Sequence, residues 1–592
     1  MRNGIWGIAK SKGFPKKVRI LDTTLREGEQ TSGVSLTPEK TRGFFFPIYN
    51  LQSFMHELFE SFPKQITLYD VTLRDGNQTP GVSFTLEDKL EAAQKLDEFG
   101  VNYIELGMPS SSLTDITAFK KIKEYELKHA KIAAFGRTMK HGNKVYNDPE
   151  LELMLKTEAD VLTLVGKSSI EHVKRVLKIT PEQNLSIIGE SVDYLKSHGY
   201  TTFFDAEHYF IGFSENPEYA LETLKAAKNA DAIILCDTSA GFIPETIEFV
   251  TKQTLEAGKL SKKIFGIHCH NDSGTVIENT IAALKCGVTQ IQGGFCGLGE
   301  RTGNVPWDEL LPTLEFKYNI STVGKENLRK LKMMADYFSR ISGFSIPPNA
   351  PYVGDSSFVH VGGMHTDAIL KYPRAYEHID PALVGNKTSF TLSDQAGSAS
   401  ILAAGKKFGY ELDKKDPAVK RMLEVVKSRR HFTDTQLYLL LAKEVDDRPL
   451  PFELLDYQTI DGMRMKPKTW VRVRINGKEY EEGSSGVGPV HSFDLALRKV
   501  LSMYLTPEIE KVKLTSYHVT IYREERGTAA TTEVSIGFDA NGERGSVIGE
   551  SDDILKASVP PLAEIYSYVL YRLNKKIKAS EKRGPLDRAT VS

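Results

Sequence analysis

Residues 263–274 read KIFGIHCHNDSG, and they combine a strand pattern with candidate metal ligands. The apolar run from Lys263 to Ile267 predicts a buried parallel strand, on which residues two apart point to the same side. His268 and His270 should therefore converge where the strand ends and the polar Asn-Asp-Ser-Gly segment begins. Two converging imidazoles favour a metal site, although a histidine pair held by core hydrogen bonds has the same spacing.

The surrounding chain alternates strand-like and helix-like segments from about residue 66 onward. Segments with helical apolar spacing include Thr85–Phe99, Pro217–Asn229 and Thr275–Cys286. Eight buried strands alternating with helices over about 250 residues predict an α/β fold of the (β/α)8 TIM-barrel type. A doubly wound open sheet is the alternative, but no Gly-rich phosphate fingerprint follows the first strand. The strand-like runs are Ile66–Leu73, Tyr103–Gly107, Ile132–Gly136, Val161–Val165, Thr201–Asp205, Ala232–Cys236, Ile264–His270 and Gln290–Gly294.

Functional residues of such a barrel lie at the C-terminal ends of its strands. The first strand leads into Arg74 and Asp75, and the eighth leads into a loop that contains Asn304. Asp75, Asn304 and the two histidines would form a mixed nitrogen and oxygen shell, which suits Zn²⁺, Mn²⁺ or Mg²⁺. Arg74 beside this shell could bind an oxyanion or polarise a carbonyl. An ordinary surface ion pair between Arg74 and Asp75 is the alternative.

Composition and charge argue against several classes of partner. The 592 residues carry a formal net charge of −1, which gives no reason to expect nucleic acid or an anionic membrane. No apolar run reaches the roughly 20 residues that span a bilayer, and the basic N-terminus lacks the apolar core of a secretory signal. The four cysteines form no disulfide-like framework, so we expect a cytoplasmic protein with free thiols.

Three motifs, in this order, resemble those of the condensing enzymes that join acyl-CoA to 2-oxoacids. They are LRDGNQ at 73–78, HCHND at 268–272 and GERTGN at 299–304. The resemblance also includes FGRT at 135–138 and FDAEH at 204–208, and in effect covers residues 66–320. The family comprises 2-isopropylmalate, homocitrate and citramalate synthases. Segments 209–213 and 377–381 most resemble the citramalate synthase branch.

The resemblance implies a metal-assisted Claisen condensation of acetyl-CoA with pyruvate and water, giving (R)-citramalate and CoA in isoleucine biosynthesis. It carries the metal ligands over to Asp75, His268, His270 and Asn304. Arg74 would help polarise the oxoacid carbonyl, and Glu207 would act in acid–base catalysis. Arg137 and Thr238 would contribute to substrate binding together with Arg74 and Asp75.

The family also implies that two subunits share each active site. His365 and Tyr376 resemble residues of a linker that reaches over the partner's barrel, where they take part in catalysis. The enzyme should therefore be an obligate homodimer. Without the family context, a histidine-rich loop of this kind is more often part of the exposed surface.

The C-terminal part resembles the α+β regulatory domain of the family. Trp470–Ile475, Ser516–Tyr522 and Thr532–Phe538 predict strands, and Ser492–Tyr504 and Asp553–Leu573 predict helices, which suggests a duplicated strand–strand–helix module. By resemblance this domain binds isoleucine as an inhibitor, and an inert dimerisation module is the alternative. The effector residues would be Gly488, Pro489, Thr528 and Ala529.

These interpretations divide the chain into five segments. They are an N-terminal extension (1–63), the catalytic barrel (64–325), a helical linker subdomain (326–452), the regulatory and dimerisation domain (453–575) and a charged tail (576–592).

Residues 20–36, ILDTTLREGEQTSGVSL, are a second version of the first-strand motif at 68–84. Glu27 occupies the position of Asp75 in this early copy. A closed barrel accepts one first strand, and the later copy runs directly into the second strand, so we assign the later copy to the barrel. The early copy is then either a remnant of a duplication or a segment that can replace the later one.

Other functions remain open at this point. Synthesis of 2-isopropylmalate ranks second and synthesis of homocitrate third, because the three oxoacids differ only in what fills the pocket beside the carbonyl. Cys296, where relatives commonly have Asn, could change that pocket. A biotin-dependent carboxyltransferase would require an Ala-Met-Lys-Met motif, which the chain lacks. A non-enzymatic function is also possible: the chain could be a catalytically inactive amino-acid sensor.

Overall fold

The structure is a computed structural model that describes residues 61–257, 264–361, 363–390, 397–427, 432–522, 527 and 529–582. The early motif copy at 20–36, with Glu27, lies outside the described residues, and so do Thr528 and residues 583–592. The prediction of a separate extension over 1–63 therefore stays a prediction.

Eight parallel strands close into a barrel in sequence order, and the first strand pairs with both the second and the eighth. The predicted TIM barrel is confirmed, and the open-sheet alternative is wrong. The first strand is shorter than predicted, so Arg74 and Asp75 lie on the turn that follows it. The strands are Thr67–Asp70 (β1), Tyr103–Gly107 (β2), Lys131–Arg137 (β3), Val161–Lys167 (β4), Thr201–Glu207 (β5), Ala232–Asp237 (β6), Ile264–Cys269 (β7) and Gln290–Gly293 (β8).

Helices surround the barrel and continue directly after it. They are Leu86–Phe99 (α1), Leu113–Lys121 (α2), Pro149–Thr157 (α3), Ile170–His172 (α4), Pro181–Ser197 (α5), Tyr209–Glu215 (α6), Pro217–Ala226 (α7), Pro244–Ala257 (α8), Val276–Lys285 (α9), Trp307–Thr313 (α10), Lys325–Leu328 (α11) and Leu331–Ser342 (α12). Single 3₁₀ or π turns are Gly76–Gln78, Ile122–Glu124, Val145–Asn147, Val173–Leu177, Phe295–Gly297, Leu314–Tyr318, Pro373–Ala375, Pro381–Val384 and Pro507–Lys511.

Helix α1 shows how the sequence sets a helix boundary. The Thr85 side chain accepts the backbone N–H of Asp88, and the Asp88 side chain accepts the backbone N–H of Thr85. This reciprocal capping box satisfies N–H groups that have no partner inside the helix. The helix ends at Gly100, whose φ of 96° is a left-handed conformation that glycine adopts without a Cβ clash.

The inside of the barrel becomes polar toward the C-terminal ends of the strands. Val161 and Phe203 belong to a buried apolar cluster. The residue two places further along each strand, which points to the same side, is Thr163 or Asp205, and both are buried. The barrel therefore presents buried hydrogen-bonding groups at the end where active sites of this fold lie.

Lys89 on α1 joins the first two strand ends. Its side chain is almost completely buried, and Nζ donates to the carbonyl oxygens of Leu73 and Leu106, each at 2.9 Å. Nζ also pairs with Oδ1 of Asp115 at 2.6 Å. One ammonium group thus holds the turn that carries Arg74 and Asp75 against the end of β2.

Replacing Lys89 by Met should lower the free energy of unfolding by about 3–5 kcal/mol, because the buried Asp115 carboxylate loses its counter-charge. Urea titration would measure this change. Lys95→Met on the same helix is the matched control, since Lys95 is partly exposed and lies 3.5 Å from an exposed Glu91. Lys95 also lies 4.9 Å from the ring centre of Tyr337, so that control should change stability by no more than about 1 kcal/mol. Equal urea midpoints for Lys89→Met and the wild type would contradict this role of Lys89.

In the part of residues 343–452 that the structure describes, the chain forms two short strands and four helices. Strands Val359–His360 (β9) and Ser389–Phe390 (β10) pair in parallel. The helices are Gly363–Lys371 (α13), Ser398–Lys407 (α14), Pro417–Lys427 (α15) and Asp434–Glu444 (α16).

The C-terminal part consists of two antiparallel sheets, each followed by a helix, as the predicted duplication requires. Each module contains three strands, so the predicted strand–strand–helix pattern is wrong by one strand. The strands and helices are Glu453–Gly462 (β11), Met465–Ile475 (β12), Lys478–Ser485 (β13), Pro489–Tyr504 (α17), Val512–Tyr522 (β14), Thr531–Ala540 (β15), Glu543–Ser551 (β16) and Ile554–Lys582 (α18). Within the described part of the chain, no helix is both long and apolar enough to span a bilayer.

Candidate metal centre and active site

Asp75, His268 and His270 form a buried cluster at the C-terminal end of the barrel. Their candidate ligand atoms all lie within 4.8 Å of one another. Asp75 comes from the turn after β1, His268 from β7, and His270 from just beyond β7. The Nε2 atoms of the two histidines are 3.2 Å apart. The predicted convergence of the two imidazoles is confirmed.

Asn304 completes this arrangement from the loop after β8. Its Nδ2 donates to Oδ2 of Asp75 at 2.6 Å, and a backbone bridge joins Asn304 to His270. Its Oδ1 is buried and has no hydrogen-bond partner among the described residues, and the same is true of Nδ1 of His270. A buried oxygen without a partner is costly, and a cation would supply one.

The pKa shifts of these side chains favour the protonation states that bind a cation. Burial disfavours ionisation of Asp75, but Arg74 and the two histidines outweigh it and hold the Asp75 pKa below its ordinary value. The pKa of His268 is lowered to about 3, first by burial and then by the nearby His270. Burial also lowers the pKa of His270. The cluster therefore offers a carboxylate and two neutral imidazoles at neutral pH, the protonation states in which these groups bind metals. With the unpartnered amide oxygen, the residues fit a divalent cation.

Arg74 is clamped from three sides. Its Nε donates to Oε2 of Glu105 at 2.5 Å, its Nη1 donates to Oδ1 of Asp75 at 2.7 Å, and its guanidinium lies 3.9 Å from the ring centre of Phe135. Glu105 is completely buried, and its Oε1 also accepts a hydrogen bond from the Tyr69 hydroxyl oxygen, 2.8 Å away. The alternative of a surface ion pair between Arg74 and Asp75 is therefore wrong. Glu105 was not predicted from the sequence, although a carboxylate within the apolar run YIELG was a usable signal.

Glu207 and Thr238 lie at neighbouring strand ends. Oε2 of Glu207 pairs with Nζ of Lys167 at 2.6 Å. The Thr238 hydroxyl accepts the backbone N–H of His208 at 2.9 Å, and its carbonyl accepts from Arg301 at 2.7 Å. The loops after β5, β6 and β8 are thereby joined next to Glu207.

Arg137 and Glu207 line one cavity of about 550 Å³ at the ends of β3, β4 and β5. Arg137 is more than half exposed and donates to Glu150 at 3.3 Å. The metal-cluster residues are not among those that line this cavity. Arg137 and Glu207 therefore line the same cavity, and among the described residues no hydrogen bond or ion pair joins Arg137 to the metal cluster.

His365 and Tyr376 contact each other in the segment after the barrel. Their rings stack with centres 4.1 Å apart, and half of Tyr376 is exposed. Within the described ranges, no hydrogen bond, ion pair or ring contact links either residue to the metal cluster of the same chain. Their role in a partner's site stays a prediction.

The predicted effector residues lie in the C-terminal part. Gly488 and Pro489 begin α17, and Ala529 lies just before β15. Thr528 is outside the described residues. Binding of an effector by this set stays a prediction.

The partly buried His208, next to Glu207, should make the stability of the protein depend on pH. Burial, and then the neighbouring His172, lower the pKa of His208 to about 3, against about 6.5 in an unfolded chain. Between these values the unfolded state binds a proton that the folded state does not, so stability falls as pH drops from 6.5 toward 3. We expect His208→Asn, which tolerates the positive φ of this position, to flatten the loss of stability between pH 7 and 5.

Urea midpoints at pH 7, 6 and 5 would measure this effect, with His198→Asn as the control at an exposed histidine. Parallel curves for the wild type and His208→Asn would contradict the prediction.

Family models match three successive parts of the chain. Residues 65–335 match the HMGL-like family, residues 352–433 the homocitrate synthase post-HMGL domain-like family, and residues 431–570 the LeuA allosteric (dimerisation) domain. An (R)-citramalate synthase from Sulfolobus acidocaldarius is 41% identical over 94% of this chain and 97% of its own length. The corresponding enzyme from Aquifex aeolicus is 39% identical over 94% and 98%. A 2-isopropylmalate synthase from Methanocaldococcus jannaschii is 30% identical over 95% and 96%.

Proposed function

This chain belongs to the (R)-citramalate synthase family, and we propose that its barrel condenses acetyl-CoA with pyruvate at the Asp75, His268, His270 and Asn304 cluster. The observation that carries the proposal is the convergence of the Asp75 carboxylate and two imidazoles within 4.8 Å, beside the Asn304 amide, whose buried oxygen has no partner among the described residues. Zn²⁺, Mn²⁺ and Mg²⁺ all suit this set of ligands. When bound, the ion would polarise the 2-carbonyl of the oxoacid and offset the charge that develops on its oxygen.

Arg74 orients the oxoacid in this proposal. Glu105, Asp75 and Phe135 fix the guanidinium, so little of its motion has to be lost when the substrate binds. Its positive charge stabilises the alkoxide that forms when the 2-carbonyl is attacked. Thr238 and Arg137 contact the substrates from the neighbouring strand ends.

Glu207 is the proposed acid–base residue. A base removes a proton from the methyl group of acetyl-CoA, the methyl carbon bonds to C2 of pyruvate as the carbonyl π bond breaks, and the alkoxide formed on the former carbonyl oxygen takes up a proton. Water cleaves the thioester, which releases CoA and (R)-citramalate. Lys167 holds the Glu207 carboxylate at the cavity that adjoins β3 to β5. We assign removal of the acetyl methyl proton to Glu207, assisted by His365 and Tyr376 of the partner subunit.

The C-terminal modules support an assembly and regulatory role. They match a domain described as allosteric and dimerising, so we propose a homodimer. We further propose isoleucine as the inhibitor, bound at a site that includes Gly488, Pro489, Thr528 and Ala529.

Thiol release from acetyl-CoA, followed with a chromogenic disulfide, tests the function. Pyruvate should be preferred over 2-oxoisovalerate and 2-oxoglutarate, and isoleucine should lower the rate. A chelator should abolish release, and adding back one of the three ions should restore it. Preference for 2-oxoisovalerate would instead indicate that the enzyme synthesises 2-isopropylmalate. No release with any oxoacid, with metal supplied, would favour the amino-acid sensor.

A further inference from the structure

A buried hydrogen-bonded chain extends from the metal cluster into the barrel. Nδ1 of His268 lies 2.9 Å from Oε1 of Gln292, and Nε2 of Gln292 donates to Oδ1 of Asp205 at 3.0 Å. His268, Gln292 and Asp205 are 6%, 0% and 3% exposed. His268 and Gln292 are direct neighbours in the pairing of β7 with β8, so the sheet itself sets this contact.

The chain of contacts determines which nitrogen of His268 carries the proton. An amide oxygen only accepts hydrogen bonds, so Nδ1 of His268 must be the donor to Gln292. Oδ1 of Asp205 accepts from the amide nitrogen, and this contact fixes the amide orientation. Nε2 of His268 is left with its lone pair, and this is the atom that lies 3.2 Å from Nε2 of His270.

We propose that Gln292 and Asp205 are positioning residues that hold His268 in the ring orientation and tautomer required for binding the metal through Nε2. The inference rests on the proposed metal centre. Partners of this kind, behind a metal-binding histidine, orient the ring and raise the basicity of the ligand. The sequence analysis gave neither residue this role, although Asp205 belongs to the FDAEH motif at 204–208.

Gln290 shows that a buried amide in this strand does not by itself imply such a link. Gln290 lies two residues before Gln292 on β8, is 1% exposed, and pairs with Thr67 and Gly266 across the sheet. Neither side-chain polar atom of Gln290 has a hydrogen-bond partner among the described residues. Gln290 is therefore a matched control on the same face of the same strand.

The test measures metal affinity of the full-length apoprotein by competition with a chelator, with Zn²⁺ and with Co²⁺ as probes. Gln292→Met removes the acceptor from His268 and should weaken binding by about 10- to 100-fold, whereas Gln290→Met should leave it unchanged. The visible spectrum of the Co²⁺ form should also shift in Gln292→Met. Thermal unfolding of the apoproteins reports separately on stability.

An exchange of the two polar groups gives a second, stricter variant. Gln292→Glu combined with Asp205→Asn keeps an oxygen acceptor for Nδ1 of His268 and an amide donor behind it. This double variant should return metal affinity to within about threefold of the wild type, because the two residues are in contact and their effects are therefore coupled. Gln292→Glu alone places two carboxylates together and should lower apoprotein stability.

The outcomes separate this inference from the proposed function. If wild-type protein binds neither probe ion, the metal centre itself is overturned, and this inference with it. If the wild type binds and Gln292→Met binds equally well with the same Co²⁺ spectrum, only the positioning role is overturned. Loss of apoprotein stability in Gln292→Met without loss of affinity would likewise show that Gln292 serves packing alone.

Discussion

His270→Ala should lower the rate of thiol release by about 1,000-fold or more, with pyruvate saturating. The Nε2 of His270 lies 3.2 Å from that of His268, and removing it takes one ligand from the proposed set of four. A metal Lewis acid contributes several kcal/mol of transition-state stabilisation, and each 1.36 kcal/mol corresponds to a tenfold change in rate. Metal content of the purified variant, measured by mass spectrometry, should fall in parallel.

The control for this variant is His198→Ala, which removes an exposed histidine that contacts Tyr194 and Ser197 of the preceding helix. Its rate and metal content should match those of the wild type. A His270→Ala enzyme that retained full activity after chelation would show that the condensation needs no ion at this cluster.

Arg74→Met should reduce the rate by about 100- to 1,000-fold and also destabilise the fold. The rate falls because a preorganised charge facing the developing oxyanion is lost. Stability falls by about 3–5 kcal/mol because the completely buried Glu105 loses the partner that lies 2.5 Å away. Kinetics at saturating substrate and urea titration measure the two effects separately.

The double variant Arg74→Met with Glu105→Gln distinguishes catalysis from charge compensation. The neutral amide that replaces the Glu105 carboxylate can still accept the Tyr69 hydroxyl proton, so the unfolding free energy should recover. The rate should stay low. Recovery of activity together with stability would mean that Arg74 serves only to neutralise Glu105.

The barrel could be predicted because its strands are buried on both faces and therefore appear as short apolar runs. The positions at which individual strands end were less predictable, as β1 shows. The Asp70 carboxylate accepts the backbone N–H and the hydroxyl of Thr72 and the indole N–H of Trp307. These local bonds turn the chain away from the sheet, although the residues that follow, Val71 to Leu73, remain buried and include two apolar side chains.

Three C-terminal strands, β11, β13 and β16, were not predicted, and the last two were missed because they are polar. Strand β13, KEYEEGSS, and strand β16, ERGSVIGES, are largely polar and partly exposed. Their place in the sheets depends on pairing with β12 and β15, which periodicity within one segment does not report.

Site residues divide in the same way. Asp75, His268, His270 and Asn304 could be proposed because each lies at or beyond the C-terminal end of a strand and belongs to a motif. Their supporting side chains could not, since Lys89 and Gln292 have polar types that a pattern assigns to the solvent side of an element. Only the packed structure shows that these two side chains are buried.

The ligand cluster is assembled at the seam where the first and last strands of the barrel meet. Asp75 and Asn304 are 229 positions apart in the chain, and the Thr79 hydroxyl is bonded to both the carbonyl and the N–H of Gly299 across the same seam. A nascent polypeptide that has emerged only as far as the seventh strand therefore possesses the carboxylate and both imidazoles but no partner to fasten them. Metal acquisition during biosynthesis should thus be a late event that follows ring closure. A ribosome-stalled chain that ends before the eighth strand should remain empty, while one extended past residue 304 can be loaded.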